Sequence, residues 1–135
     1  MPWREDETYK ELEQIVRSAG VRIEYAAVPD DSIDGPIWAR SDDNLRAIMM
    51  PVEDDAFPDA DTACLILGHE MGHLLTGLDS PDYPRAERRR NEAVCDLVGC
   101  TLHKLAQMIA EEKAEQELKA LFVEAAKVVS GNDQV

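Results

Sequence analysis

Two histidines four residues apart, His69 and His73, lie in a largely apolar stretch near the middle of the chain. Residues at this spacing share one face of a helix, so the two imidazoles can bind one Zn²⁺, each nitrogen about 2.0–2.1 Å from the metal. Glu70 is about 100° around the helix from His69, where it can contact a water on the metal without binding the metal itself. This spacing predicts a hydrolytic zinc site with two histidine ligands, Glu70 as the general base and one open coordination position.

A zinc site needs a third protein ligand, and we expect it on a later helix that begins between residues 82 and 85. At 100° per residue, Glu92, Asp96, Gly99 and His103 fall within about 60° of one another on this helix. We expect this face to pack on the histidine helix, with Glu92 as the third ligand and Asp96 accepting a hydrogen bond from a ligand imidazole. Gly99 would let the two helices approach closely. The alternative interpretation is a solvated polar face.

The opposite face of this later helix is apolar and is expected to pack against the core and the last helix. It comprises Val94, Leu97, Val98, Thr101, Leu105 and Met108. His103 is about 16 Å from Glu92 along a straight helix, too far to share one ion, so we interpret it as a surface or interhelical histidine. Tyr83 lies in the preceding loop, where it could steady an oxyanion, although packing is the more common role of a loop tyrosine.

The remaining elements follow from apolar periodicity and from turn residues. The pattern predicts a helix over residues 5–19, a strand over 21–28, and a hairpin of two strands over 37–40 and 45–50. The histidine helix should begin after a cap at Asp59 or Asp61 and end near Thr76, where Gly77 fits a C-cap. The later helix should end near residue 110, followed by a final helix over 112–129 and a frayed tail over 130–135.

The order of these elements predicts an α+β fold. A small, mostly antiparallel three-stranded sheet would pack against about four helices, and residues 1–135 would form a single domain.

A net charge of −14 disfavours binding to nucleic acid or to an anionic membrane surface. The N-terminal residues predict no signal peptide, and no apolar run is long enough for a membrane span. The cysteines Cys64, Cys95 and Cys100 are interpreted as reduced core thiols of a cytoplasmic protein.

The histidine motif His69–Leu75 and the later Asn91-Glu92-Ala93 together resemble the ImmA/IrrE family of zinc metallopeptidases. The order of helix, small sheet, histidine helix and glutamate helix is similar too, over roughly residues 5 to 110. The resemblance implies a zincin-like domain with His69, His73 and Glu92 as zinc ligands and Glu70 as catalytic base. It also implies a regulatory peptidase that cleaves a repressor protein and is often encoded on a mobile element or used in stress responses.

The function predicted from the sequence is therefore zinc-dependent hydrolysis of a peptide bond in a regulatory, repressor-like protein, with Glu70 activating the water on the metal. An extended substrate would add along the edge of the sheet, with residues 45–50 as the expected edge. The alternative is a non-proteolytic zinc-containing module that binds or regulates a protein. A further hypothesis is that a basic cluster binds an acidic substrate segment or a nucleic acid; the cluster comprises Arg85, Arg88, Arg89 and Arg90. The favoured interpretation is that these arginines are a solvated first turn of the helix, whose charge balances that of Glu87 and Glu92. The oligomeric state is not predicted.

Overall fold

The structure is a computed structural model that describes residues 2–28, 39–42, 46–77 and 84–132. A short 3-10 helix, Trp3–Glu5, comes first. The further elements are α1 (Glu7–Ser18), β1 (Arg22–Ala26), β2 (Arg40–Asp42), β3 (Ala47–Pro51), α2 (Ala60–Thr76) and α3 (Arg85–Asn132). The predicted α+β class is confirmed, with three α-helices and a three-stranded sheet in the described part of the chain.

The sheet is mixed, so the prediction of a mostly antiparallel sheet is wrong. Strands β2 and β3 form the predicted antiparallel hairpin, in which Ser41 pairs with Ile48. Strand β1, however, runs parallel to β3, with Ile23 opposite Ile48. The strand order is β1-β3-β2, and the 20 residues between β1 and β3, which include β2, exceed the dozen or so that a crossover between parallel strands requires.

Strands β1 and β2 form the two edges of the described sheet, and the expectation that residues 45–50 form an edge is wrong. Strand β3 has a neighbour on each side, and Ile48 and Met50 are completely buried within it. A nearly continuous apolar strand is typical of the middle of a sheet that is covered on both faces. The polar sequence of β2, Arg-Ser-Asp, suits an edge, where backbone groups and side chains meet water.

Helix α1 supports the sheet through an apolar stripe of Tyr9, Leu12 and Val16, all of which are buried. Its N-cap is Asp6, whose carboxylate accepts a hydrogen bond from the Tyr9 backbone N–H at 3.1 Å. The Tyr9 and Tyr25 hydroxyls lie 2.8 Å apart and connect α1 to β1. Burial raises the pKa of both phenols, so they stay protonated and act as neutral hydrogen-bonding groups.

Helix α2 begins and ends where its sequence predicts. Asp59 is the N-cap and accepts a hydrogen bond of 2.7 Å from the Thr62 backbone N–H, and hydrogen bonding by Thr62 lowers the pKa of Asp59. Gly77 ends the helix in the left-handed conformation with φ of 64°, a region that glycine enters without steric cost. Within the helix, burial raises the pKa of the Cys64 thiol to about 12, with Asp6 and Asp61 adding to the shift.

Helix α3 is continuous from Arg85 to Asn132, so the predicted break near residue 110 is wrong. The sequence Ala110-Glu-Glu-Lys113 contains no glycine or proline, and its residues all favour a helix. At 1.5 Å per residue the helix is about 72 Å long. Residues 130–132, predicted to fray, continue it, whereas residues 133–135 lie outside the described part of the chain.

The apolar face of α3 that was expected to be buried is mostly exposed. Val94, Leu97, Leu105 and Met108 all retain more than two fifths of their accessible surface. The physical reason is that α3 does not turn back on itself, so the predicted last helix does not cover this face. Cys100 is likewise exposed rather than in the core, whereas Cys64 and Cys95 are buried as predicted.

None of the helices formed by the described residues has the combination of length and apolar character that would let it cross a membrane.

The far half of α3 is expected to contribute little to the stability of the folded body. Every described residue from 111 to 131 is exposed, although Lys113 forms an ion pair with Glu11 of α1. Removing residues 115–135 should therefore move the thermal unfolding midpoint by less than about 3 °C, because no buried contact is lost. A longer deletion from residue 103 onward, which also removes buried Ala106, should lower it clearly. Equal midpoints for the two deletions, measured by circular dichroism, would contradict this division of α3.

Candidate metal centre

Glycines set the distance between α2 and α3, which pack antiparallel. A Cβ atom added at Gly68 would lie 2.6 Å from the Gly99 Cα, and one added at Gly99 would lie 2.8 Å from the Leu65 carbonyl oxygen. One turn further along α2, a Cβ at Gly72 would lie 2.8 Å from the Cys95 Cα. Real Cβ contacts essentially never reach such distances, so only glycine permits this approach. The close approach predicted for Gly99 is confirmed.

The glycine contact brings His69, His73 and Glu92 together. One carboxylate oxygen of Glu92, Oε2, lies 2.9 Å from Nε2 of His69, and the other, Oε1, lies 3.2 Å from Nε2 of His73. The two Nε2 atoms are 3.0 Å apart. His73 is buried, whereas about half of the Glu92 side chain is exposed. Three side chains with ligand-type atoms, from two helices, thus converge on one point beside solvent.

The outer ring nitrogens of both histidines also have partners. Nδ1 of His69 lies 2.7 Å from Oδ1 of Asp96. An ionised carboxylate can only accept, so Nδ1 carries the hydrogen and donates it, which leaves Nε2 as the nitrogen that faces Glu92. Nδ1 of His73 lies 3.5 Å from the Cys95 thiol, which is buried. Partners of this kind fix the orientation and the tautomer of ligand histidines in metal sites.

The converging atoms fit a cation. With hydrogens on Nδ1, neutral His69 and His73 would point Nε2 lone pairs at each other and at the Glu92 carboxylate, a group with no donor. A proton could satisfy one of these contacts, whereas a divalent metal ion satisfies all three at once. Ligand atoms around a tetrahedral Zn²⁺ are about 3.3 Å apart, close to the observed 2.9 to 3.2 Å. Two imidazoles and one carboxylate are a donor set that Zn²⁺ accepts.

Glu70 belongs to the same cluster. Ligand-type atoms of His69, Glu70 and His73 all lie within 4.8 Å of one another, so proximity by itself does not separate Glu70 from Glu92 as a ligand. Glu92 places one oxygen on each histidine Nε2, as expected of the predicted third ligand. The division of roles, with Glu92 as ligand and Glu70 as base, stays a prediction.

A cleft of about 530 Å³ opens next to the cluster. It is lined by Glu70, His73 and Glu92, by Ala39, Arg40 and Ser41 at β2, and by Arg85, Arg88 and Arg89 at the start of α3. Glu70, His73 and Glu92 therefore face the same cleft as β2, an edge strand of the sheet. An extended chain lying along β2 would pass close to Glu70 and His73.

Other residues singled out by the sequence lie elsewhere or have other partners. His103 contacts Oδ1 of Asp61 on α2 at 3.1 Å, which confirms the prediction of an interhelical histidine. Tyr83 lies outside the described residues. The contact between Cys95 and His73 was missed, since cysteines were interpreted only as core thiols. The available signal was its position three residues after Glu92, on the face that meets α2.

Substituting Gly99 by alanine should disturb both folding and metal binding. The added methyl group would meet the backbone of α2, so the helices must separate by a few tenths of an ångström or more. We expect a loss of about 1–3 kcal/mol in the free energy of unfolding and a weaker affinity for zinc. Gly131→Ala on the same helix is the control, because nothing lies within 4 Å of its added Cβ. Urea unfolding curves that leave the two variants equally stable would contradict the glycine constraint.

Replacing Asp96 by asparagine should weaken zinc binding without abolishing the fold. The side chain of Asp96 is mostly exposed, so the change removes the negative partner of His69 Nδ1 but little packing. We expect the zinc affinity to fall by about 10- to 100-fold in a competition titration with a chelator. Glu87→Gln removes an equal charge from an exposed position in the first turn of the same helix and should leave affinity unchanged. An unaltered affinity in Asp96→Asn would show that this contact does not serve the metal.

Comparison with protein-family models, with curated proteins and with solved structures finds no match for this chain. What supports a metal centre here is therefore the chemistry of the chain's own side chains. His69, His73 and Glu92 supply the converging atoms, and Asp96 orients one of the imidazoles.

Proposed function

We propose that the chain is a zinc-dependent metallopeptidase that hydrolyses a peptide bond in a regulatory, repressor-like protein. The observation that carries the proposal is the placement of Glu70 beside the converging atoms of His69, His73 and Glu92, at the wall of an open cleft. A structural zinc site is usually closed by four protein ligands and has no need of a base. The proposal includes membership of the ImmA/IrrE type of peptidase and a cytoplasmic location.

A bound Zn²⁺ would supply a Lewis acid and an activated water. The protein's own groups supply the rest of the chemistry. His69, His73 and Glu92 would hold the ion, and the contact of Asp96 with Nδ1 of His69 would keep the Nε2 lone pair of that imidazole directed at it. Glu70 accepts the proton from the attacking water and later delivers it to the nitrogen of the leaving amine. A carboxylate suits this role because it can hold the proton between the two steps.

The cleft suggests how a substrate would bind. Strand β2 is one of the two terminal strands of the described sheet, and it is the one beside the cleft, which residues 39–41 line. An extended peptide could add to this strand through backbone hydrogen bonds, which would bring one of its peptide bonds near Glu70. The edge at β2 thus replaces the one expected at residues 45–50, where β3 is already paired on both sides.

The substitution Glu70→Gln tests the proposal. It removes the base but keeps the size of the side chain, so zinc content should remain about one per chain while the hydrolysis rate falls about 100-fold or more. Zinc is measured by atomic absorption, and cleavage by mass spectrometry of a peptide library derived from a proteome. Glu87→Gln, which makes the same change at a residue outside the cleft, serves as the control.

Each other outcome has a distinct meaning. Loss of zinc from Glu70→Gln would make Glu70 a ligand rather than the base. If the wild-type protein holds zinc but cuts neither a peptide nor a captured partner, the function is that of a non-proteolytic zinc-containing module rather than a peptidase. A variant that cuts at the wild-type rate would remove Glu70 from the mechanism.

A further inference from the structure

Four arginines line the cleft of a strongly acidic protein. Arg40 comes from β2, and Arg85, Arg88 and Arg89 come from the first two turns of α3. Two glutamates, Glu70 and Glu92, share the cleft, and a divalent ion would add further positive charge. The chain as a whole has a net charge of −14. The cleft therefore carries an excess of positive charge on a negatively charged molecule, and such a cleft attracts negatively charged ligands.

The three arginines of α3 continue the face that carries the metal ligand. Arg85, Arg88 and Arg89 precede Glu92 by seven, four and three residues, a helical spacing that places all of them on one side of α3. Arg90 belongs to the same run of basic residues but lies in a separate pocket, beside Thr76 and Asn91. The structure thus divides one basic sequence into three cleft residues and one that is not in the cleft.

These arginines are not explained by the stability of the helix. The N-terminal end of a helix carries a partial positive charge, so cations in its first turns are unfavourable. The arginines are exposed, as a solvated first turn predicts, and Glu87 is the acidic residue of that turn. Arg85, Arg88 and Arg89 form no ion pair with any carboxylate among the described residues. Exposed cations at a helix N-terminus that no ion pair holds in place are available to a ligand of opposite charge.

We propose that the cleft selects an acidic peptide segment, an inference that rests on the proposed function. Guanidinium groups bind carboxylates through paired, charge-assisted hydrogen bonds, and Arg85, Arg88 and Arg89 offer this to Asp and Glu side chains of the substrate. Arg85 lies about 10 Å along the axis of α3 from Glu92. An extended peptide covers that distance in about three residues. The acidic residues therefore lie within about four residues of the bond that is cut.

The test uses full-length protein loaded with zinc. Wild-type protein cuts a peptide library derived from a proteome, and the cut sites are identified by mass spectrometry. We expect Asp and Glu to be enriched near the cut bond, and the enrichment to disappear in the double variant Arg88→Glu with Arg89→Glu. The matched control is Arg90→Glu with Lys104→Glu, which changes the net charge equally but outside the cleft. The control should keep the preference of the wild type.

A binding measurement keeps the inference testable if no peptide is cut. In the Glu70→Gln background, fluorescence anisotropy compares a labelled peptide of alternating Glu and Ala with its Gln counterpart. The acidic peptide should bind more tightly, and Arg88→Glu with Arg89→Glu should weaken it by at least about tenfold. The matched control should weaken it much less. Tight binding of the acidic peptide without any cleavage would support the selection of acidic peptides and would contradict the proposed peptidase function.

Three results would overturn the inference. Cleavage without enrichment of Asp or Glu would retain the peptidase but reject acidic selection. Equal weakening by the cleft variant and by the matched control would assign the effect to net charge rather than to the cleft. A labelled oligo-dT that binds more tightly than the acidic peptide, and depends on Arg88 and Arg89, would make the ligand a nucleic acid.

Discussion

The close approach of α2 and α3 is the constraint on which the rest of the site depends. Backbone meets backbone at Gly68 and Gly99, and Gly72 meets Cys95 one turn along. In an antiparallel pair, two such contacts fix both the separation and the register of the helices. The register in turn brings Glu92 to the two histidines and Asp96 to His69. A side chain at Gly68, Gly72 or Gly99 would push the helices apart and weaken the binding of one ion by these groups.

The second constraint is electrostatic. The inner nitrogens of His69 and His73 and the carboxylate of Glu92 come within 3.2 Å of one another, although all three are acceptors when the imidazoles are neutral. A cation placed among these three groups would satisfy all of them at once. Metal binding and the packing of α2 on α3 should therefore stabilise each other, because the ion joins residues of both helices.

Helix α3 serves two surfaces of different character. Its first half presents arginines, Glu92 and Asp96 toward the cleft and the histidines, and buries Cys95 and Ala106 against the body. Its second half carries large apolar residues that remain more than half exposed, including Leu118, Leu121 and Phe122. The high helix propensity of Ala, Glu, Lys and Leu keeps this half helical even though it buries nothing. The functional groups are thus confined to the half that packs on α2.

The sequence by itself predicted the local features well. The cap at Asp59, the stop at Gly77 and the histidine spacing depend on interactions within a few residues. The helical period alone placed four residues on the face of α3 that meets α2, namely Glu92, Asp96, Gly99 and His103.

Only the tertiary structure decided the position of β3 in the middle of the sheet, the exposed apolar face of α3, and the division of the arginines between the cleft and another pocket. These depend on which elements lie side by side, and that is set by the packing of residues far apart in the chain, which no local period records.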